Sequence, residues 1–313
     1  MNNFTHKLYI LTEQNDVYRE NVESLMLEDL VITEQREEAS ILLAAPPMAA
    51  KCLDDFPKLE WLQSAYAGVD ALTAPHLRKD YELTNVKGIF GQQISEYVLG
   101  YTISHFRHFA TYEKQQAQHQ WQQHLYQSLD TKVMLILGTG SISSHLSSAA
   151  AALGIKVIGV NTTGIPPKSG RFHDTYHINE LENAMKCADI VVNTLPNTAE
   201  TKGLLNAKTL GYCSNALLFN VGRGAILIEE DLIPAIEHGH ITHAFLDVFI
   251  NEPLIPEHPF WEHSCITISP HIAALSFPHQ VVEIFAHNYR LWRERLWRDG
   301  FQLENRIDFD KGY

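Results

Sequence analysis

The chain has 313 residues, a length that suggests about two domains, and its 45% of hydrophobic and 19% of charged residues are ordinary for a globular protein. The formal net charge of −13 argues against nucleic acid or an anionic membrane as a partner, because the overall field attracts neither. The four cysteines are scattered without a C-x-x-C pair, so they indicate neither a disulfide framework nor a zinc site, and we expect no bound metal.

The segment up to Asn85 alternates between short apolar runs and amphipathic stretches. Its N-terminal apolar stretch is too short for a signal peptide or a membrane span, so we expect a cytoplasmic protein. Four runs predict strands, with a helix (VYRENVESLMLEDL) after the first: KLYIL, SILLAA, LEWLQSA and ELTNV. Gly68 and Val69 follow the third strand. This glycine is about equally consistent with a plain turn and with backbone N–H groups that hold a carboxylate.

A single long helix is predicted from Gln92 to about Gln120. Its end is rich in glutamine and histidine, which is most simply a solvated helix face or loop. The alternative is that this polar tail, with Trp121 and Tyr126, reaches a second subunit.

From Val133 onwards the pattern becomes regular and predicts a doubly wound sheet. Six nearly continuous apolar runs are typical of strands that are buried on both faces: VMLILG, KVIGVN, DIVVNTL, ALLFNVG, HAFLDVF and CITISPH. Helical or loop segments separate them, which favours parallel strands with crossover connections. Ligands of such sheets bind beyond the carboxyl ends of the strands, so the residues after each run are the candidates for a site.

The first of these strands leads into a glycine turn, VMLILGTGSISSHL. Gly138 allows a sharp turn, and Gly140 would let backbone N–H groups approach a pyrophosphate at the start of the next helix. The third position of the G-x-G-x-x-G pattern is Ser143. A two-glycine turn is about as often an ordinary strand-to-helix turn as a dinucleotide site. As a site, its cofactor-binding residues would be Gly138, Thr139, Gly140, Ser141 and Ile142.

The second strand ends in Asn161, Thr162 and Thr163, which we expect to contact the cofactor. NAD-preferring sites normally carry Asp or Glu there, and a carboxylate would repel a 2′-phosphate. The neutral side chains, with Lys168 and Arg171 shortly after, favour NADP over NAD.

The remaining strand ends carry candidate groups for catalysis. Leu195 with Pro196, Val221 with Gly222, and Asp247 would border the cofactor. Arg223, Glu252 and His271 follow three successive strands. Histidine can exchange a proton near neutral pH, a nearby Glu would raise its pKa, and the planar fork of Arg suits an oxyanionic substrate. The alternatives are an arginine that caps a turn and, among 17 histidines, one with no catalytic role.

The segment from Pro278 to Gly300 is amphipathic at helical spacing and predicts a helix that returns to the first lobe. Its Trp292 and Trp297 are interpreted as packing residues.

Six motifs occur in the order and approximate spacing of one known family: AGVD, GTGSI, LPNTAET, NVGRG, LDVFINEPL and SPHIAA. With them the chain resembles the D-isomer-specific 2-hydroxyacid dehydrogenases over nearly its whole length. The closing RIDFDKGY and the non-acidic second strand end are most similar to the glyoxylate/hydroxypyruvate reductase branch.

The resemblance implies an α/β fold of two lobes. A doubly wound, Rossmann dinucleotide-binding domain (97–277) would be inserted in a flavodoxin-like substrate-binding domain (1–96 and 278–313). The implied activity is the reduction of a small 2-oxoacid to the D-2-hydroxy acid with NADPH, in a homodimer.

The resemblance also implies a role for each candidate residue. Arg223, with the backbone of Gly68 and Val69, would bind the substrate carboxylate. His271 would be the general acid in reduction, and Glu252 would keep it protonated. Asp247 would hold the carboxamide that orients the nicotinamide.

Ser143 departs from the family pattern, which has glycine there for close helix-to-strand packing. We expect the helix to sit slightly farther out. This departure motivates an alternative function, a non-catalytic NAD(P)(H)-sensing or scaffold protein that retains the fold.

Overall fold

The structure is a computed structural model that describes residues 5–295 and 302–309. It divides into two compact α/β units, one formed by 1–89 with 276–313 and the other by 90–275. The strands are β1 His6–Leu11, β2 Leu30–Ile32, β3 Ile41–Ala44, β4 Trp61–Ser64, β5 Glu82–Thr84, β6 Val133–Leu137, β7 Lys156–Asn161, β8 Asp174–His177, β9 Ile190–Asn193, β10 Ala216–Asn220, β11 Ile241–Leu246 and β12 Ile266–Ile268. The helices are α1 Asn15–Ser24, α2 Pro46–Ala49, α3 Gly91–Phe106, α4 Phe109–Ala117, α5 Ser141–Ala152, α6 Leu181–Lys186, α7 Ala207–Leu210, α8 Glu229–Glu237 and α9 Pro278–Arg293.

The first unit is built on a five-stranded parallel sheet in the order β2-β1-β3-β4-β5. This is the flavodoxin-like strand order. β3 and β4 are buried along their whole length, which is why their sequences are continuous rather than alternating. β2 was not predicted, because its three residues LVI are partly exposed at the sheet edge.

The last helix, α9, packs in this unit through aromatic side chains. Trp61 stacks on Phe285 with ring centroids 5.3 Å apart, and Trp292 lies against Trp61 at 5.7 Å. The interpretation of Trp292 as a packing residue is confirmed, since its side chain is buried. α9 ends at Arg293, and Trp297 lies outside the described residues.

The second unit is built on a seven-stranded parallel sheet in the order β12-β11-β10-β9-β6-β7-β8. Read from β8, this is the Rossmann order 3-2-1-4-5-6 with a seventh strand added. All six predicted strands of this region are present, and the predicted fold class is confirmed. The additional strand β8, DTYH, was missed because it is a short edge strand with no buried residue.

The predicted single helix from Gln92 to Gln120 is wrong. α3 ends at Phe106, and His108 takes a left-handed conformation with φ 59° before α4 begins. A left-handed residue cannot continue a right-handed helix. The chain after α4 then returns alongside it, and His108 Nε2 lies 2.9 Å from the carbonyl oxygen of Leu125.

The domain boundary that we predicted between residues 96 and 97 falls inside α3, which belongs wholly to the second unit. The second boundary was placed at 277/278, and the units separate at 275/276. Within residues 5–295 and 302–309, no helix is long and apolar enough to cross a membrane, and no cluster of three His, Cys, Asp or Glu side chains could hold a metal ion.

Candidate active site

The glycine turn joins β6 to α5 as predicted. Gly138 has φ +92°, where a Cβ would also come within 3.1 Å of Thr194 Oγ1 and 3.2 Å of Leu195 Cδ2, closer than ordinary van der Waals contact. Gly140 precedes the helix, and a Cβ there would meet no atom within 4 Å, so its surroundings are open space. An open backbone at the positive end of a twelve-residue helix fits the pyrophosphate of a dinucleotide. Ser141 and Ile142 form the first turn of that helix.

Ser143 is buried, and its hydroxyl has a partner. Ser143 Oγ lies 2.8 Å from Thr194 Oγ1, which in turn donates to the carbonyl oxygen of Leu137 at 2.9 Å. Ser143 therefore donates to Thr194 and links α5 to the ends of β6 and β9. The serine adds a hydrogen bond instead of an unsatisfied group.

Asn161, at the end of β7, shapes the turn that follows it. Its Oδ1 accepts from the N–H groups of Thr163 at 3.0 Å and Gly164 at 2.7 Å. Its Nδ2 donates to Thr139 Oγ1 at 3.0 Å and to the carbonyl oxygen of Ile165 at 2.9 Å. Thr162 and Thr163 are exposed beside it. The amide thus ties this turn directly to the glycine turn.

The 162–173 loop is also fastened at its far end, to α5. The N–H of Arg171 donates to the buried Ser147 Oγ at 2.9 Å. Gly170, with φ +90°, lies so close to the helix that a Cβ would come within 2.6 Å of Ser147 Oγ and 2.8 Å of Ser144 Cα. Lys168 and Arg171 are exposed on this fastened loop, and the loop contains no acidic residue.

Arg223 follows β10 in a turn that two glycines allow. A Cβ on Gly222 would lie 2.8 Å from the carbonyl oxygen of Leu195, and one on Gly224 would overlap the carbonyl group of Phe249. These glycines therefore permit close backbone contacts on both sides of Arg223.

Buried amides hold the Arg223 turn. Asn193 Nδ2 donates to Asn220 Oδ1 at 2.8 Å, and Asn220 Nδ2 donates to the carbonyl oxygen of Arg223 at 3.2 Å. Both asparagines are fully buried at the ends of β9 and β10. Asn193 also binds the N–H of Leu195 through Oδ1 and that of Val221 through its carbonyl oxygen. The predicted cofactor-bordering residues Leu195, Pro196, Val221 and Gly222 are therefore on neighbouring strand ends.

Glu252 and His271 form a hydrogen-bonded pair beyond the ends of β11 and β12. His271 Nδ1 lies 2.8 Å from Glu252 Oε2, while Glu252 Oε1 accepts from the N–H of Phe249 at 2.9 Å. The His271 side chain is 54% exposed, and because Nδ1 contacts the glutamate, Nε2 is the ring nitrogen that faces away from this pair. His271 takes a left-handed conformation, φ 53°, held by a hydrogen bond from its N–H to the carbonyl oxygen of Asp247 at 2.9 Å.

This pair has shifted pKa values of opposite sign. The hydrogen bond to Glu252 raises the pKa of His271 and outweighs partial burial, while the charges of Arg223 and Asp247 have smaller, opposing effects. Burial raises the pKa of Glu252, but the hydrogen bonds from His271 and Phe249 N–H outweigh it and hold that pKa below its ordinary value. The pair therefore favours a protonated His271 beside an ionised Glu252. An imidazolium of this kind can act as a proton donor.

Asp247 is buried and organises the turn that carries His271. Its Oδ1 accepts from Ser269 Oγ at 2.6 Å and from the N–H of Ile272 at 2.8 Å, and its Oδ2 accepts from the N–H of Ala273 at 3.0 Å. These donors occupy most of the acceptor capacity of the carboxylate. The expected contact of Asp247 with a carboxamide stays a prediction.

Sequence comparison decides the family of this chain. The sequence model described as "D-isomer specific 2-hydroxyacid dehydrogenase, NAD binding domain" matches residues 99–273, more than half of the chain. The chain belongs to this family. The matched range includes Arg223, Glu252 and His271.

Solved structures and a curated relative agree with this assignment. The chain is 40% identical, with a TM-score of 0.91, to a D-isomer specific 2-hydroxyacid dehydrogenase family protein from Aeromonas salmonicida subsp. salmonicida A449, covering 98% of this chain and 100% of that one. It is 27% identical, with a TM-score of 0.87 and 99% and 100% coverage, to such a dehydrogenase from Xanthobacter autotrophicus Py2 in complex with NADPH and MES.

The curated relative is the glyoxylate/hydroxypyruvate reductase A of Serratia proteamaculans (strain 568), which is 36% identical over 199 residues. That alignment covers 63% of this chain and 63% of the relative, so the chain matches less than two thirds of the relative's length. The predicted membership of the dehydrogenase family and the similarity to its glyoxylate/hydroxypyruvate reductase branch are confirmed. As a member, the chain has the domain that the family uses for a nicotinamide dinucleotide.

Sequence reasoning missed several residues that shape this dehydrogenase site. Tyr97 of α3 lies 2.6 Å from Ser269 Oγ, so a tyrosine–serine–aspartate chain supports the His271 turn, and burial raises the pKa of Tyr97. Ser269 was visible in the SPHIAA motif, whereas nothing in the sequence pairs Tyr97 with it. Asn193 and Asn220 are the last residues of two buried strands. An asparagine at the end of each of two apolar runs was the signal in the sequence that could have identified them.

Proposed function

We propose that this protein reduces a small 2-oxoacid of the glyoxylate or hydroxypyruvate type to the D-2-hydroxy acid with NADPH. The observation that carries the proposal is the Glu252–His271 pair, at 2.8 Å, beyond the sheet edge where Arg223 also follows its strand. The name of the Serratia proteamaculans relative supports the substrate class.

The residues of the chain divide the work as follows. Arg223 binds the carboxylate of the oxoacid and offsets the negative charge that develops on its carbonyl oxygen. His271, held through Nδ1 by Glu252, donates the Nε2 proton to that oxygen. NADPH, when bound, would supply the hydride that reduces the carbonyl carbon. In the oxidative direction neutral His271 takes the proton back.

The backbone N–H groups of Gly68 and Val69 are a second group suited to a carboxylate, as the resemblance to the family implies. Gly68 and Val69 follow β4, in a loop that Asn85 fixes by donating from Nδ2 to the carbonyl oxygen of Ala67 at 2.6 Å. Among the described residues, their N–H groups have no intramolecular acceptor. This leaves them suited to an anion.

A panel assay tests this function. We expect NADPH oxidation with glyoxylate and hydroxypyruvate, a D product, and a higher kcat/KM with NADPH than with NADH. Cofactor binding without turnover on any 2-oxoacid would favour the alternative, a non-catalytic NAD(P)(H) sensor or scaffold. That alternative rested on Ser143, whose hydroxyl is satisfied by Thr194.

NADP preference is supported by the loop after β7. Lys168 and Arg171 are exposed there, and the strand end carries Asn161 where a carboxylate would oppose a 2′-phosphate. The NADPH complex of the Xanthobacter autotrophicus Py2 dehydrogenase supports the same cofactor. The protein's cytoplasmic location stays a prediction.

Replacing both cations, in Lys168→Ala with Arg171→Ala, is expected to raise the Kd for NADPH about tenfold, the size of one charge-assisted contact to phosphate. The Kd for NADH should change little. Nicotinamide fluorescence titration measures both. Lys156→Ala is the control, because it removes an exposed cation at the opposite end of β7. An equal loss for NADH would contradict the assignment of these cations to the 2′-phosphate.

Glu252→Gln is expected to lower the pH at which kcat/KM for the reduction falls to half of its maximum. Reduction needs protonated His271, so kcat/KM falls as the pH rises through the pKa of His271. Because Glu252 raises that pKa, its neutral replacement should move the fall toward more acidic pH. A kcat/KM profile between about pH 5 and pH 10, the range around an ordinary histidine, measures the shift. A profile with an unchanged midpoint would show that Glu252 does not raise the pKa of His271.

Homodimerisation is proposed from the segment around α4. It exposes large apolar side chains, among them Trp121 at 97% and Leu125 at 98%, which a second copy would cover. Sedimentation equilibrium measures the assembly.

A further inference from the structure

Two glutamates fix the consecutive backbone N–H groups of Phe249 and Ile250. The N–H of Phe249 donates to Glu252 Oε1, and the N–H of Ile250 donates to Glu229 Oε1, both at 2.9 Å. Glu252 is the residue that pairs with His271. Glu229 has no contact with that pair and was not singled out by the sequence, yet it holds the adjoining residue of the same loop.

Glu229 is itself held on its other oxygen by His258. His258 Nε2 lies 3.4 Å from Glu229 Oε2, and the two side chains are only 16% and 15% exposed. His258 Nδ1 accepts from the N–H of Phe260 at 3.3 Å, so this hydrogen-bond network assigns the proton to Nε2, facing Glu229. Glu229 therefore contacts the loop from Ile250 to Phe260 near both of its ends, through the N–H of Ile250 and the side chain of His258.

The backbone between Arg223 and Glu229 is anchored by a close contact and by hydrogen bonds. Gly224 lies against the Phe249 carbonyl group, where even a Cβ would overlap it. The residues that follow are hydrogen-bonded to a neighbouring strand-like segment: Leu205 N–H donates to Ile226, and Ile228 N–H donates to Leu205. Glu229 is the first residue of α8, directly after this anchored segment.

We propose that Glu229, held by His258, is a positioning residue for the Glu252–His271 pair. By fixing the N–H of Ile250, it keeps the loop where Glu252 can accept both from Phe249 and from His271. It connects the segment after Arg223 to the proton donor through the adjacent backbone N–H groups of Ile250 and Phe249. This role deepens the proposed reductase function and rests on it for its kinetic consequence, but its effect on His271 exists without turnover.

Glu229→Ala is expected to loosen the loop and weaken the Glu252–His271 hydrogen bond. The pKa of His271 should fall toward that of an ordinary histidine, since Glu252 raises it while the charges of Arg223 and Asp247 oppose each other. A displacement of this kind should lower kcat by about tenfold to a hundredfold. The KM for the oxoacid should change less, because Asn220 holds the Arg223 turn independently.

The chain offers a matched control in Glu230. It is the next residue in the first turn of α8, carries the same charge and is exposed. Glu230→Ala therefore removes the same interaction with the helix dipole without touching the loop, and we expect wild-type behaviour from it.

Two further variants separate positioning from folding. Glu229→Gln keeps an acceptor for Ile250 N–H and should restore most of the lost kcat. His258→Asn keeps an acceptor for Phe260 N–H and removes only the donor to Glu229, so we expect a smaller fall than in Glu229→Ala. If Glu229→Ala does not fold, as judged by its Tm and circular dichroism, His258→Asn carries the same comparison.

The decisive measurement is the pKa of His271 in the cofactor-free protein, by NMR titration with ¹³C-labelled histidine and assignment from His271→Asn. A lower pKa in Glu229→Ala and His258→Asn, with wild-type values in Glu230→Ala, supports the proposal. An unchanged pKa in Glu229→Ala or, where that variant does not fold, in His258→Asn overturns it, and so does an equal fall in Glu230→Ala. Because this titration needs no turnover, a failure of the reductase assignment would leave its result readable.

Discussion

His271→Ala is expected to lower kcat for glyoxylate or hydroxypyruvate reduction by about two to four decades, the usual contribution of a general acid. His271 is the histidine that Glu252 holds at 2.8 Å, so this substitution removes the proposed proton donor. The Kd for NADPH should stay close to that of the wild type. Steady-state kinetics and a fluorescence titration of NADPH measure the two quantities.

The left-handed backbone of His271 requires a second variant. Alanine is strained at φ 53°, whereas asparagine is enriched in that conformation. His271→Asn therefore removes the acid with less disturbance of the turn, and it should lose as much turnover as His271→Ala. Near wild-type turnover in His271→Asn would exclude His271 as the proton donor, and a loss confined to His271→Ala would indicate backbone strain.

Arg223→Lys is expected to lower kcat/KM for the oxoacid by about two to three decades, comparable to the loss of one group that stabilises a developing oxyanion. Lysine keeps the positive charge but replaces the planar fork by a single point donor, so binding of a carboxylate and a carbonyl oxygen together is lost. Steady-state kinetics with both substrates, at fixed saturating NADPH, measures the effect.

Arg171→Lys is the matched control for this substitution. It makes the same chemical change on the exposed 162–173 loop, and the KM for the oxoacid should not respond. Equal losses in both variants would mean that the change acts through the cofactor. Wild-type kinetics in Arg223→Lys would show that a single positive charge at this turn is sufficient.

The strand ends of the second unit could be predicted because they follow from simple physical patterns. Strands buried on both faces are continuous apolar runs, and parallel strands place their carboxyl ends at one edge. Arg223, Glu252 and His271 each come shortly after such a run. These three residues could therefore be chosen as candidates from the apolar runs and from the chemistry of their side chains. The structure brings two of them, Glu252 and His271, into contact.

Other features could not be predicted, because they depend on partners distant in sequence. The break at His108 is tied to Leu125, which approaches only after the chain returns. The hydrogen bonds to Asp247 come from a turn more than twenty residues later, at Ser269, Ile272 and Ala273. The short edge strand β8 has no buried residue and hence no periodic signal.

The asparagine at the end of β7 limits how cofactor preference could be changed. Asn161→Asp would supply the acidic side chain of an NAD-type site, and its oxygen could still accept from Thr163 and Gly164. The second oxygen, however, would face Thr139 Oγ1 and the carbonyl oxygen of Ile165, which now accept from the amide. Repulsion from Ile165 would disturb the turn that the exchange is meant to use. If the proposed NADP preference holds, conversion to NAD, by evolution or by engineering, therefore requires a redesigned loop and not one substitution.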